Sequence, residues 1–149
     1  MQITMRKIEE LRGYEKNART HSTEQIKEIV SSILHFGFND PVEIDSKGVI
    51  ISGHGRVAAA RQMGLVEVPT IQHAHMSEDA KKGYILAANR IAMSAGWDGN
   101  LLKDEFTDLQ SVGFDLALTG FTQDEINSYM NPEVLTGGLV DENSVPVQR

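Results

Sequence analysis

The sequence predicts an α+β chain, in which short strand-like segments alternate with helices up to residue 72 and helices alone follow. Three observations carry this. Ser22 stands three residues before Gln25 and opens a run in which Ile26, Ile29, Val30, Ile33 and Leu34 recur at helical spacing. Residues 42–45 and 49–51 are short apolar runs joined by Ser46-Lys47-Gly48, the composition of a hairpin connection. After residue 77 the apolar residues keep a helical period, interrupted by glycines, to about residue 130.

Taken in order, residues 2–5 read as a short strand and 11–20 as a polar loop ending in Asn17-Ala18-Arg19-Thr20. The Ser22 helix stops at Gly37, and Asn39-Asp40-Pro41 makes a turn before the two hairpin strands. Ser52-Gly53-His54-Gly55 then breaks the pattern. Residues 56–63 are alanine-rich and helical, closed by Gly64. Residues 66–72 form another strand, in which Pro69 marks an edge or an irregular stretch. A helix capped by Ser77 covers about 78–93, with Tyr84, Ile85, Ala88, Ile91 and Ala92 on one side. Beyond the break at Gly96-Trp97-Asp98-Gly99, helical pieces are expected at 101–112, 115–118 and 122–130, the last opened by a Thr122/Glu125 capping box. Phe114 and Phe121 read as core anchors there, and Trp97 as a packing anchor at the break. From residue 131 the apolar period is lost, and the tail reads as a flexible linker.

Composition excludes several classes. The chain of 149 residues has no cysteine, so disulfides, zinc–thiolate sites and thiol chemistry are absent. No apolar run approaches the roughly 20 residues of a membrane span, and the N-terminus lacks a signal-peptide core; a cytoplasmic protein is expected. The formal charge of −7 means that any nucleic-acid contact must come from a local patch or a partner.

Three local patterns carry chemistry. In the first, a strand runs into Ser52-Gly53-His54-Gly55-Arg56 and then a helix. Glycines can turn backbone N–H groups toward one point, the helix adds the positive end of its dipole, and Arg56 adds a fork of donors, which together suit a phosphate. A tight strand-to-helix turn with a solvated arginine has the same spacing. In the second, Asn17-Ala18-Arg19-Thr20 sets an arginine and small polar groups beside another helix start, a pattern that ordinary capping also produces. The third is Asn89-Arg90 within the long helix, which fits a solvent-facing pair or contacts to a metal-bridged triphosphate. His73 and His75 share a strand face and read as exposed edge histidines, since two ligands without a third make no metal site. His21 and His35 suggest nothing further.

The order of these patterns resembles the ParB/sulfiredoxin-like superfamily (ParB N-terminal-like nuclease). Asn17-Ala18-Arg19-Thr20, a helix ending in Phe36-Gly37, and Asp40-Pro41-Val42 are similar to its first box, which carries Asn-Pro-Arg, a helix ending in Gly, and Gln-Pro before a strand. Residues 49–60, with Gly53-His54-Gly55-Arg56-Val57-Ala58-Ala59, are similar to the second box, whose usual core is Gly-Glu-Arg-Arg followed by an Arg-Ala helix. Residues 66–71 match the Val-Pro strand after it, and Ala88-Asn89-Arg90 resembles a shortened Glu-Asn segment ending in Arg. The likeness covers about residues 3–95.

The resemblance implies an α+β ParB/sulfiredoxin-like domain over residues 1–95, with a small mixed sheet and packed helices. A C-terminal helical extension over 96–130 and a flexible linker or tail over 131–149 complete the expected organisation. It further implies a bound nucleotide, ATP, CTP or ADP, with Mg2+. Gly53, His54, Gly55 and Arg56 would contact phosphates, Arg19 and Thr20 would close the pocket from the opposite side, and Asn89 would help hold the metal. Where the family has an acidic residue, an arginine and a glutamate, this chain has His54, Gly55 and Ala88. Those departures leave binding in place and weigh against hydrolysis; any turnover would be that of a weak nucleoside triphosphatase or nuclease. Sulfiredoxin chemistry needs a cysteine in the turn and is excluded.

Residues 91–98, 113–116 and 119–121 are similar to phage and prophage ParB-like domains fused ahead of adenine-specific DNA methyltransferases. No Asp-Pro-Pro-Tyr motif is present, so methyl transfer is not carried by these residues. The expected function is nucleotide-dependent DNA association, accessory to a DNA methyltransferase domain C-terminal to these residues or to a phage DNA transaction. The alternatives are a Mg-dependent nucleotidase, kinase or nuclease, and a nucleotide-free interaction adaptor. DNA contacts, direct or through a partner domain, are expected at Arg61, Lys81, Lys82 and Arg90, for which scattered solvated charges are the competing account. No membrane partner is expected, and a homodimer is compatible with the reading.

Overall fold

A computed structural model describes residues 1–132. The chain divides into two compact units, Met1–Ala95 and Gly96–Arg149. Most of the expected tail, from residue 133, lies outside the described residues.

The first unit runs β1 (Ile3–Lys7), a 3-10 turn (Ile8–Glu10), α1 (Thr23–Phe36), β2 (Val42–Ile44), β3 (Ile50–Ser52), α2 (His54–Gln62), β4 (Glu67–Gln72) and α3 (Glu78–Ser94). The sheet order is β1-β4-β2-β3. β1 pairs antiparallel with β4, and β2 antiparallel with β3, whereas β2 and β4 are parallel, so the small sheet is mixed as expected. The parallel pair needs a crossover, which α2 supplies between β3 and β4. Val42, Ile44, Ile50, Val57, Ala60 and Val68 close the core with Ile8 and Leu11. Each fully buried valine or isoleucine stabilises by about 1.5–3 kcal/mol.

Pro69 departs from expectation, because β4 is an interior strand rather than an edge. The register explains its tolerance. Ile8 N–H donates to Val66 O, so alternate pairs of the β1/β4 ladder exchange hydrogen bonds, and Met5↔Pro69 falls on a pair that does not. The missing donor would face β2, whose pairing begins only at Thr70. The β2–β3 turn is built by Asp45, whose Oδ1 accepts from the Lys47 and Val49 amides at 2.8 and 2.9 Å.

In the second unit, α4 (Gly99–Ser111), a 3-10 turn (Leu116–Thr119) and α5 (Gln123–Met130) follow one another. α4 begins two residues earlier than its apolar period indicates, because Asp98 caps it through the Asn100 and Leu101 amides. The Thr122/Glu125 box forms reciprocally, at 3.0 and 3.1 Å. Leu102, Phe106 and Ile126 are buried together with Phe121 packed on them. Trp97 is exposed; one edge of it meets Phe121, with ring centroids 5.1 Å apart.

Candidate functional site

A cleft of roughly 280 Å³ opens in the first unit where the start of α1, the β3–α2 junction and the last turns of α3 converge. Three separate segments meet there, represented by Arg19, residues 52–56 and Asn89. Thr20 does not reach it and is exposed beside it.

The β3–α2 junction is a helix N-terminus with a glycine cap. Gly53 takes φ 110°, a left-handed conformation, and opens α2 directly after the strand. Absence of a side chain matters twice, since a Cβ on Gly53 would lie 3.0 Å from Arg56 Nη2. The guanidinium therefore lies against the glycine backbone. It is held from outside, with Nη1 3.0 Å from Asp40 Oδ2 and Nη2 donating to Pro41 O at 3.0 Å. Its buried Nε has no partner among the described residues. The solvated arginine allowed by the sequence is thus replaced by a fixed, half-buried one.

Gly55 is buried, and its Cβ would lie 2.9 Å from His21 Cε1 and 3.0 Å from Ile29 Cδ1. The glycine in the place of the family's arginine lets α1 and its preceding loop approach α2. His21, at the residue before the Ser22 cap, lines the cleft, and sequence reasoning missed it. The signal was its position directly before the cap of a helix whose start faces the site. Its Nδ1 donates to Gln25 Oε1 at 2.9 Å. Ser22 Oγ accepts from the Gln25 amide, but the Gln25 side chain turns to His21 instead of back to Ser22, so only half of that capping box forms.

His54 ties two walls together. Its Nε2 accepts the Tyr14 backbone N–H at 3.0 Å, which places the ring proton on Nδ1. Burial, and then the nearby His21, hold its pKa below the ordinary 6.5, so it is a neutral ring here. The same loop carries Asn17, whose Oδ1 accepts from the Arg19 amide and turns Arg19 toward the cleft. Asn89 donates from Nδ2 to Ile85 O at 2.8 Å, leaving Oδ1 as the atom that can meet a cation or donor. No aspartate or glutamate lines the cleft, and among the described residues no group of three or more potential metal ligands is found.

The four expected DNA residues do not line one common cleft. Arg61 and Arg90 are exposed and line neither this cleft nor the second one described below. Lys81 is a correction: it is buried, 2.7 Å from Asp45 Oδ2 and 3.0 Å from Glu78 Oε1, so its charge is spent inside the protein. Lys82 alone of the four is exposed beside a cleft. His73 is a second correction. It is nearly buried, with Nε2 2.7 Å from Glu43 Oε2, and Tyr84 O–H donates to the same oxygen at 2.7 Å. That bond to Glu43, with burial, pushes the tyrosine up to about 12. The cluster holds α3 to β2, which the alternation of the histidines alone does not reveal.

Comparison with known proteins places this geometry. Residues 1–89 match the ParB N-terminal domain family, and residues 100–147 match the ParB-methyltransferase HTH domain. The ParB-like nuclease domain-containing protein YnaK of Escherichia coli (strain K12) is 46% identical over 82 residues, which are 55% of this chain and 94% of that protein. Among solved structures, the C-terminally truncated chromosome-partitioning protein ParB of Caulobacter crescentus complexed with CTP-γ-S is similar at a TM-score of 0.63 and 19% identity, over 95% of this chain and 82% of that one. The same protein complexed to the centromeric parS site gives a TM-score of 0.50 at 19% identity, over 85% and 64%. These two likenesses speak for the fold. No helix among the described residues is long and apolar enough to cross a membrane.

Proposed function

The chain belongs to the ParB N-terminal domain family, and on that premise we propose that its cleft binds a nucleotide through the phosphates and that this binding serves association with DNA. One observation carries the reading: a single cleft with no carboxylate in its lining, Asp40 pairing with Arg56 from beside it, collects a left-handed glycine at a helix start, two arginines and Asn89. Such a site stabilises multiple negative charges through N–H groups, a helix dipole and guanidinium forks. The ParB relative complexed with CTP-γ-S makes CTP the first nucleotide to test, with ATP and ADP beside it.

Mg2+ fits as a phosphate-bound ion. Asn89 Oδ1 would supply one oxygen, and phosphates and water the rest, since the carboxylate that usually holds this cation is not in the lining. The ion would neutralise charge on the triphosphate. The lining offers no carboxylate to assemble a two-metal centre, which favours binding over the nuclease chemistry in the name of the Escherichia coli relative. His54, with Nε2 already engaged by Tyr14, acts as a neutral Nδ1–H donor rather than a base. The match of the second unit to the ParB-methyltransferase HTH domain supports a DNA-directed role, which we read as accessory to a methyltransferase or to a phage DNA transaction.

Isothermal calorimetry with CTP, ATP and ADP plus Mg2+ tests this. Binding by the unmodified chain is expected, with Arg56→Ala weaker by about 1.5–3 kcal/mol, the scale of a charge-assisted hydrogen bond. No heat at millimolar nucleotide would turn the reading to an adaptor, and rapid phosphate release would turn it to an enzyme. Light scattering on the same samples reports whether the chain dimerises.

A further inference from the structure

A second cleft, of roughly 360 Å³, lies in the first unit among residues 12–16, the β2–β3 turn and the first turns of α3. It shares no lining residue with the nucleotide cleft. Its cations are Arg12, Lys16, Lys47, Lys81 and Lys82 against Glu15, Asp45 and Glu78, a local charge of +2 in a chain of −7. The distribution is more lopsided than that count. Lys81 bridges Asp45 and Glu78 at the inner end, so both carboxylates are engaged. Arg12, Lys16, Lys47 and Lys82 form no ion pair among the described residues.

One of the four is preorganised. The Arg12 backbone bonds both ways with the hairpin, N–H to Gly48 O at 2.9 Å and O from Ile50 N–H at 2.8 Å, and its Nη2 donates to Lys47 O at 3.0 Å. That bond sets the guanidinium beside the Lys47 segment. Lys16, Lys47 and Lys82 are exposed around it. Four cations without an ion pair around one recess give it a local positive potential that attracts an anion.

We propose that this recess is a docking surface for the phosphodiester backbone of duplex DNA. The choice of DNA among polyanions rests on the reading of the chain as DNA-associated; the recess itself does not. The overall charge does not oppose it strongly, because at about 0.1 M salt fields are screened beyond about 10 Å. A phosphate in the recess feels the four nearby cations, Glu15 and the net negative Lys81–Asp45–Glu78 triad far more than the acidic residues elsewhere. Contacts of this kind position a duplex without reading its sequence. The surface thus differs from the set expected from sequence, keeping Lys82 and replacing Arg61, Lys81 and Arg90 by Arg12, Lys16 and Lys47.

The test is an anisotropy titration of a labelled duplex of arbitrary sequence with the full chain and with the triple variant Lys16→Ala, Lys47→Ala, Lys82→Ala, at several salt concentrations. Arg12 is left intact because its side chain supports the hairpin. The variant is expected to bind at least about ten-fold more weakly at low salt, and its slope of log affinity against log salt should shrink by about two to three, near 0.9 per lost phosphate contact. Its nucleotide affinity and melting temperature should match the unmodified chain. Equal DNA affinity and slope for both proteins would overturn the recess while leaving DNA association standing, now assigned to the other unit. No DNA binding by the unmodified chain at low salt would overturn both. Loss of nucleotide binding in the variant would show that these lysines serve the nucleotide instead, and would also overturn the proposal.

Discussion

Nε2 of His54 lies 3.0 Å from the Tyr14 backbone nitrogen and accepts its proton, so the first residue of α2 fastens the loop that carries Arg19. The bond requires a neutral Nε2. Burial and His21 depress the His54 pKa below 6.5, so the unfolded chain takes up this proton at a higher pH than the folded one. The stability gained from a neutral His54 is therefore complete above that value and falls as pH drops through it toward the depressed one. Urea unfolding between about pH 7.5 and 5 should show this loss. His54→Gln keeps an acceptor and removes the titration, so this part of the slope should disappear. His54→Ala should cost about 1 kcal/mol at neutral pH, the worth of one hydrogen bond. An unchanged slope in His54→Gln would mean that the pH dependence comes from elsewhere.

The two glycines of the junction should fail differently. Gly53→Ala meets both a left-handed φ of 110° and the Arg56 guanidinium 3.0 Å away. A loss of about 1–3 kcal/mol is expected, together with weaker nucleotide binding, because Arg56 must shift. Gly55→Ala meets His21 and Ile29 in an ordinary helical position, so its cost is one of overpacking, about 1–3 kcal/mol. Adding His21→Ala should recover part of the Gly55→Ala loss and none of the Gly53→Ala loss. Thermal melts of the four variants decide it.

Asp40 would compete with a phosphate for Arg56. Its carboxylate is 3.0 Å from Nη1 yet largely exposed, so the pair adds little to stability. A phosphate approaching Arg56 must displace or share that carboxylate. Asp40→Asn should therefore raise nucleotide affinity, by up to about five-fold if the exposed pair is worth no more than about 1 kcal/mol. Calorimetry at low salt reads this directly, and a fall in affinity would mean that Asp40 orients Arg56 rather than competing for it.

Much of the architecture was legible because it rests on local rules. The α1 cap at Ser22, the hairpin turn at residues 46–48 and the Gly53 break each follow from a residue type at a required backbone geometry. The convergence of Arg19, residues 53–56 and Asn89 became legible only through the family likeness, since three segments far apart in sequence cannot be brought together by periodicity. What escaped was side-chain pairing across elements. Lys81 looked like a surface cation on a helix, yet Asp45, 36 residues earlier, draws it inside. His73 looked like half of an exposed pair, yet Glu43 comes from the neighbouring strand. Pro69 looked like an edge or irregular residue, because hydrogen-bond parity in the ladder is set by a partner strand far away in sequence, in the pair Met5↔Pro69.

Lys81 and Asp45 also set the last prediction. Both side chains are more than nine-tenths buried, and Asp45 Oδ2 meets Nζ at 2.7 Å. Burial pushes the Asp45 carboxyl up, but the Lys81 bond and the Val49 and Lys47 amides outweigh it and hold the pKa below 3.8. Its contribution is thus present above 3.8 and lost as pH falls through the depressed value. The bonds to Asp45 and then Glu78 raise Lys81 above 10.5, so its contribution is present below 10.5 and lost as pH climbs past the raised value. Lys81→Met leaves a buried carboxylate without its cation and should cost about 3 kcal/mol or more at neutral pH. It should also flatten the alkaline limb. Since α3 is held by this pair and its buried Ile85, and carries Ala88 and Asn89 into the first cleft, nucleotide affinity is expected to fall with it. Adding Asp45→Asn to Lys81→Met removes the orphaned charge and should recover part of the stability, with a coupling energy readable in a double-mutant cycle. Additive losses in that cycle would show that the two charges do not depend on each other and that α3 is held by its other contacts.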